Sequence, residues 1–472
     1  MDGDFAAGEE RPLGRTVAAV ALTAHNRASL NAAAEQETRS MNIRPPRIGP
    51  QPWDIVRNKL DQSLPFANMR DTPYYRDAVW EQFSKQEYDR RYRALRAKIR
   101  QHRLDALIVP GGPSHWSFGG GMLWLTGHWE WHALASYVLV PLDGEPTLIY
   151  SMGGTHAEAV RRQVEIAVKD VRHSRNGRYA DVMVERLREL KLDRGRIGLM
   201  EIDPRHGDYL PVNQYNVLRE NLPDAELVFT QGFLHELLSI HSAEELDCVR
   251  RAGKLCQNAM EAMVARARPG VKEYELRAAA GAAILEGGGD IDFLIIGSTP
   301  MADPAQIFGN PRPSARVLQK GDIINMELAA GYRGYTAQIG SPICLGEPTD
   351  MVRKFWEDIT LPGYCRIVAE IAPGKPAEAM RQASKFFRDN GYQSRPTQVH
   401  GIDLVTDKPH VVAEHVSAEK LEEVLKPGMV IMAEPNPITA DGLFGIFLGH
   451  TFIVTENGHE VVDNFPLEIA VA

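Results

Sequence analysis

Apolar positions recur every three or four residues in SKQEYDRRYRALRAKIRQHRL, residues 84–104, where Tyr88, Tyr92, Leu95 and Ile99 form one stripe. That spacing predicts a helix with a single buried face. Ser84, three residues ahead of Glu87, reads as the capping box that starts it. The pattern then shortens. DALIVPG reads as a buried strand, and SYVLVPLDGEPTLIY as a hairpin turning at Asp143-Gly144. RIGLMEID, from Arg196, and PDAELVF add two more strands, the latter after a helix-like stretch. Strands alternating with helices predict an α/β domain over residues 46–240.

A second helical pattern opens at His241. Ser242 and Glu245 form another capping box, and Leu246, Val249, Ala252, Cys256 and Ala259 repeat at helical spacing. Pro269-Gly270 ends that helix, and a second one runs from about Lys272 to Glu286. Residues 321–340, GDIINMELAAGYRGYTAQIG, read as two antiparallel strands joined by a tight turn. Ile323, Ile324 and Met326 lead there into an acid, Glu327, which is costly to bury unless something pairs with it. A strand end reaching solvent would also explain it.

Composition narrows the picture modestly. The 472 residues allow two or more domains, and the formal charge of -9 argues against a nucleic-acid partner. Residues 1–45 are rich in Ala, Glu and Arg without a sustained apolar period, and are expected to form a disordered extension. The apolar run at 17–22 is short for a signal peptide, and none approaches the ~20 residues of a membrane span. Four cysteines without metal or redox spacing suggest free thiols in a reducing, cytoplasmic setting.

Three stretches carry a family resemblance. The 321–340 hairpin resembles the first metal-ligand hairpin of the pita-bread enzymes, the family of methionine aminopeptidase, prolidase, aminopeptidase P and creatinase. HGIDLVTDKP, from His400, is similar to that family's HGIGLxxHExP, and LKPGMVIMAEPNP, from Leu425, to its LxPGMVxxxEPG. The front half resembles the N-terminal domain of creatinase and prolidase. The resemblance implies a creatinase-like α/β domain followed by a pita-bread (α+β) domain over residues 241–472. It also implies a homodimer in which the front domain of one subunit covers the site of the other.

The resemblance further implies a ligand set of two aspartates, a histidine and two glutamates. The matching positions hold Glu327, Gln338, His400, Glu434 and Gly449. Two divalent ions facing only Glu327 and Glu434 would keep about two uncompensated charges, so no two-metal centre is expected. One iron or zinc ion at His400, Glu434 and His450 is the alternative, although His450 follows the lost glutamate and should point to the other face of its strand. The family's histidine ahead of the hairpin is absent, since Gly309 and Asn310 stand there. The position of creatinase's catalytic glutamate is Gly340.

What remains is an acid/base set of His400, Glu434 and Glu327. Gln338, Tyr335, Asp407, His450 and Trp129 are candidate substrate contacts. Asp407 would suit a cationic group, and Trp129 in LWLTGHWEWH an aromatic wall. Tyr335 also fits hairpin packing, Asp407 a turn and the tryptophans a packed loop. The expected function is a metal-independent hydrolase of the creatinase type, cleaving a C–N bond of a small cationic or zwitterionic substrate. A lyase resembling the family's dimethylsulfoniopropionate enzyme, a non-catalytic binding protein and a degenerate Xaa-Pro peptidase are the alternatives.

Overall fold

The computed structural model describes residues 81–111, 120–129, 136–152, 155–202, 207–402, 404–405, 408–417 and 419–472. The extension expected over residues 1–45 lies outside them, as does Asp407. No described helix is long and apolar enough to cross a membrane.

The front half is built on a six-stranded sheet. Its strands are β1 (Ala106–Pro110), β2 (Tyr137–Pro141), β3 (Thr147–Tyr150), β4 (Asp170–His173), β5 (Arg196–Met200) and β6 (Glu226–Thr230), in the order β4-β3-β2-β1-β5-β6. β2 pairs antiparallel with β1 and β3, and the other neighbours are parallel. Both faces of β1 are covered, which is why ALIVP is apolar throughout. Leu107 and Val109 join the cluster that contains helix α1 (Lys85–Gln101). Ala106 and Ile108 join the cluster of α2 (Tyr179–Glu189) and α3 (Val212–Asn221).

Ser84 caps α1 by accepting the Glu87 N–H at 3.1 Å. The reciprocal half of the expected box is missing, because Glu87 turns its carboxylate to Arg90 and Arg91. The backbone N–H of Ser84 donates instead to Glu244. At the start of α4 (Ala243–Arg266) the box of Ser242 and Glu245 is complete.

These two helix starts are knotted together by buried charge. Arg91, fully buried, donates to Glu87 at 2.7 Å, to Glu245 at 2.9 Å and to the carbonyl of Trp124 at 2.6 Å. Trp124 Nε1 and the Tyr335 hydroxyl also donate to Glu245, at 2.9 and 2.7 Å. A buried cation is tolerated only with this degree of pairing. The knot fixes the front sheet against the start of the second half.

The second half is a ten-stranded sheet. Its strands are β7 (Asp290–Pro300), β8 (Asp322–Tyr332), β9 (Tyr335–Gly340), β10 (Ile343–Cys344), β12 (Thr397–Gly401), β13 (His410–Val412), β14 (Val430–Ala433), β16 (Gly449–Val454), β17 (His459–Val461) and β18 (Ala470–Val471). The main order is β13-β12-β14-β16-β9-β8-β10-β18, with β7 on β8 and β17 on β16; β11 (Gln393–Ser394) and β15 (Pro437–Ile438) form a separate pair. α4 and α5 (Glu273–Glu286) back β7, β8 and β9, while α6 (Leu361–Val368) and α7 (Ala377–Asp389) back β12 and β14. The fold is the α/β front domain with a pita-bread second domain that the resemblance implied.

The β8–β9 turn is tighter than the glycine spacing suggests. Tyr332 faces Tyr335 across it, so Arg333 and Gly334 alone make the loop, both at positive φ. A Cβ at Gly334 would also stand 2.1 Å from Leu123 Cδ2, so a side chain there would have to move that leucine as well as adopt a positive φ.

Candidate functional site

Strand register decides which side chains meet. His400, Met432 and Thr451 are direct partners across β12, β14 and β16, so they share one face. Thr451 extends that face to β9, accepting from the Gln338 N–H at 2.8 Å and donating to the Gln338 carbonyl at 2.9 Å. Gln338 pairs with Ala329, two residues on from Glu327, which puts Glu327 on the same face. Glu434, just past β14, is fixed by its N–H donating to the Gln398 carbonyl at 2.9 Å.

The three expected acid/base residues meet here. His400 Nε2 lies 3.8 Å from Glu434 Oε1, and both side chains are largely buried. His400 Nδ1 lies 2.9 Å from the Gly401 carbonyl. A carbonyl can only accept, so Nδ1 carries the hydrogen, and when the ring is neutral Nε2 is the acceptor on the side of Glu434.

Glu327 and Glu434 share a hydrogen bond. Burial pushes the Glu327 carboxyl up to about 7, against the pull of Arg395 and of that bond. Burial, then the charge of Glu327, hold Glu434 well above the usual carboxylate range. Two carboxyls sharing one dry spot cannot both ionise, so Glu434 keeps the proton and donates it to Glu327.

Arg395 is the member that sequence reasoning missed. Its guanidinium lies 3.6 Å above the Phe308 ring, and both carboxyls feel its charge. Its backbone N–H donates to the Asn436 carbonyl at 3.0 Å, holding it ahead of β12. No spacing in the sequence marks it. The only signal is a cation five residues before His400 in an otherwise uncharged stretch.

Both amide atoms of Gln338 are buried without a hydrogen-bond partner among the described residues. The amide is therefore available to a polar guest.

Other candidates fall elsewhere. Tyr335 is three residues from Gln338 and so emerges on the opposite face of β9; its hydroxyl is committed to Glu245 and Arg91 in the buried knot. His450 is opposite Ala433 and Ile339, on the far face of the sheet from His400. Its Nδ1 lies 2.9 Å from the Tyr364 hydroxyl. The alternative of one ion at His400, Glu434 and His450 thus loses its third donor. Trp129 is 40% exposed in the front half, and Trp131 and His132 lie outside the described residues.

The residues do not fit a two-metal centre. Gln338 supplies a neutral amide where a bridging carboxylate is implied, and Gly449 supplies nothing. A Cβ at Gly449 would stand 2.5 Å from Met432 Cε, so that thioether fills the volume of the second bridge. A Cβ at Gly340 would stand 2.2 Å from the ring of Phe447, which packs edge-on against Phe308. Among the described residues no three His, Cys, Asp or Glu side chains converge as ligands for one ion. The missing histidine is matched by packing too. Gly309 is buried, and a Cβ there would meet Ile295 Cγ2 at 2.9 Å and the Asn325 carbonyl at 3.0 Å.

Comparison with known proteins agrees with this architecture. Residues 247–456 match the metallopeptidase family M24, and residues 91–237 match the creatinase/prolidase N-terminal domain. An uncharacterized hydrolase/peptidase of Sinorhizobium fredii is 26% identical over 408 residues, spanning 82% of this chain and 97% of the relative. A creatinase of a Bacillus species is 24% identical over 289 residues, spanning 58% of this chain and 67% of the relative. The crystal structure of the prolidase from Pyrococcus horikoshii superposes with a TM-score of 0.66 at 19% identity, covering 80% of this chain and 99% of that one. Residues 247–456 are thus an M24-type domain, with a creatinase/prolidase-type domain in front of it over residues 91–237.

Proposed function

We propose that this chain is a hydrolase that cleaves a C–N bond in a small zwitterionic molecule without a metal. The observation that carries the reading is the hydrogen-bonded pair of buried carboxyls, Glu327 and Glu434, with His400 Nε2 at 3.8 Å from Glu434. One buried constellation then holds a ready acid and a ready base.

In this reading His400 Nε2 takes a proton from a water molecule as its oxygen attacks the carbon of the scissile bond. Glu434 gives its proton to the departing nitrogen, and the C–N bond breaks. Glu327 accepts the hydrogen bond from Glu434 before transfer. Afterwards His400 holds the proton taken from water and Glu434 is ionised, so transfer from imidazolium to carboxylate resets the site. Gln338 offers its amide to a polar group of the substrate.

Arg395 narrows the substrate. A guanidinium held flat on an aromatic ring suits a carboxylate, which it can grip with two parallel hydrogen bonds. The favoured substrate therefore combines an anionic carboxylate with the nitrogen to be released. The relatives named as peptidases and as creatinase support hydrolysis of a C–N bond. A homodimer, with Trp129 of one subunit facing the site of another, belongs to the same proposal.

The test is a screen of small amide, guanidino and betaine compounds against protein prepared with a chelator. Turnover that survives chelation and disappears in Glu434→Gln supports the reading. Activity that needs an added divalent ion overturns it.

A further inference from the structure

Behind the candidate site, on the opposite face of β16, the protein has a second cleft of about 590 Å³. Tyr364, Cys365, His450, Phe452, Asp463 and Phe465 are among the residues that line it. Its floor carries two buried polar atoms without a hydrogen-bond partner among the described residues, His450 Nε2 and Asp463 Oδ2. His450 is 1% exposed and Asp463 is 3% exposed. The other atoms of these groups are engaged. His450 Nδ1 lies 2.9 Å from the Tyr364 hydroxyl, and Asp463 Oδ1 accepts from the Phe465 N–H at 3.1 Å.

Leaving two such atoms unsatisfied is costly, and their side chains lie close together. His450 Nε2 lies 3.8 Å from Asp463 Oδ1, too far for a direct hydrogen bond. The walls are mainly apolar or aromatic, and no lysine or arginine lines them. An anion would find no positive partner here, whereas a cation would find a carboxylate and aromatic faces.

We infer that this cleft binds a small primary ammonium compound with an apolar body, its head between Asp463 Oδ2 and His450 Nε2 and its body against Phe452 and Phe465. In the tautomer that donates Nδ1–H to the Tyr364 oxygen, Nε2 is an acceptor, and this is the tautomer the ligand selects. The ammonium then satisfies both orphaned atoms and keeps one N–H for solvent.

Burial affects the titration in a consistent way. It pushes the Asp463 carboxyl up to about 7 and the His450 imidazole down to about 4. Tyr364, Cys365 and His459 are the other titratable groups facing the cleft, and burial raises both Tyr364 and Cys365. The ligand requires the ionised carboxylate, so affinity rises with pH through 7 and binding below 7 releases a proton. Between pH 6 and 8 the gain is about tenfold.

Cys365 supplies a local readout. It is exposed and lines the cleft, while Cys248, Cys256 and Cys344 are buried and serve as internal controls. The full chain is titrated with 2-phenylethylamine and, separately, with the neutral 2-phenylethanol, while iodoacetamide alkylation of each cysteine is followed by mass spectrometry. The amine is expected to protect Cys365 at a concentration at least tenfold lower than the alcohol, more strongly at pH 8 than at pH 6. Asp463→Asn is expected to abolish that preference. Equal protection by the two compounds overturns the inference, as does an unchanged preference in folded Asp463→Asn. A Cys365 that resists alkylation without ligand also overturns it, because the cleft would then be closed to small molecules. If Asp463→Asn fails to fold, the comparison of amine with alcohol on the unaltered protein decides.

Discussion

Glu434 and Glu327 share a hydrogen bond across the floor of the second sheet, and once Glu327 ionises, above pH about 7, the two acids hold one proton between them. Nothing in either strand alone requires this. It arises because β8 and the end of β14 are brought together by a sheet that buries both carboxyls.

The first prediction concerns stability. An unfolded chain releases the Glu327 proton near pH 4.5, and the native chain near 7. Between those values the native state holds more protons, so stability falls as pH rises. Glu327→Gln removes this liability. It should be more stable than the parent at pH 8, by on the order of a few kcal/mol, and about equal at pH 4. Urea unfolding at both pH values checks this, and parallel pH curves for the two proteins would count against the shared proton.

The second prediction concerns chemistry. Glu434→Gln keeps the shape and loses the transferable proton, so kcat on an identified substrate should fall about 10²- to 10⁴-fold. Loss of KM alone, with kcat retained, would assign Glu434 to binding.

Arg395 gives the third. Arg395→Ala should raise KM for a substrate with a carboxylate by about tenfold or more, and leave KM for its neutral amide analogue nearly unchanged. Arg395→Lys should recover part of the effect, because lysine keeps the charge without the planar fork. Steady-state kinetics on the two substrates reads this out.

The fourth concerns the carboxylates that a two-metal centre would need. Gly449→Glu alone should destabilise the protein by about 1–3 kcal/mol, because the Met432 methyl already occupies that volume. The triple variant Gln338→Asp, Met432→Ala, Gly449→Glu should bind manganese or cobalt stoichiometrically. Calorimetry and metal analysis of the dialysed protein check it.

The fifth concerns the knot beneath the hairpin. Arg91→Ala leaves Glu245 buried without its main cation, and should cost about 3–5 kcal/mol. Thermal unfolding should show a lowered Tm, with Glu245→Gln in the same background restoring part of the loss.

Much of the architecture could be read from the chain because it is written in local periodicity. The stripe of Tyr88, Tyr92, Leu95 and Ile99 is the buried side of α1, and the cap of Ser242 with Glu245 starts α4. The candidate site was legible where it coincides with a motif, as at His400 and Glu434. Tyr335 was grouped with the site because proximity in sequence was given more weight than the two-residue period of a strand: it stands an odd number of residues from Gln338 and emerges on the other face. The same period, applied to His450 one residue after Gly449, correctly anticipated its place on the far face. Arg395 was invisible for a different reason. Its place beside the carboxyls is set by a ring, Phe308, far away in the chain, and no linear pattern encodes that contact.

The side chain of Met432 has a consequence for anyone rebuilding this pit. An acid placed at position 449 meets that methyl group first, so the thioether has to swing aside or be cut back before a carboxylate can enter. Room, and not charge alone, sets the order in which such changes can be made.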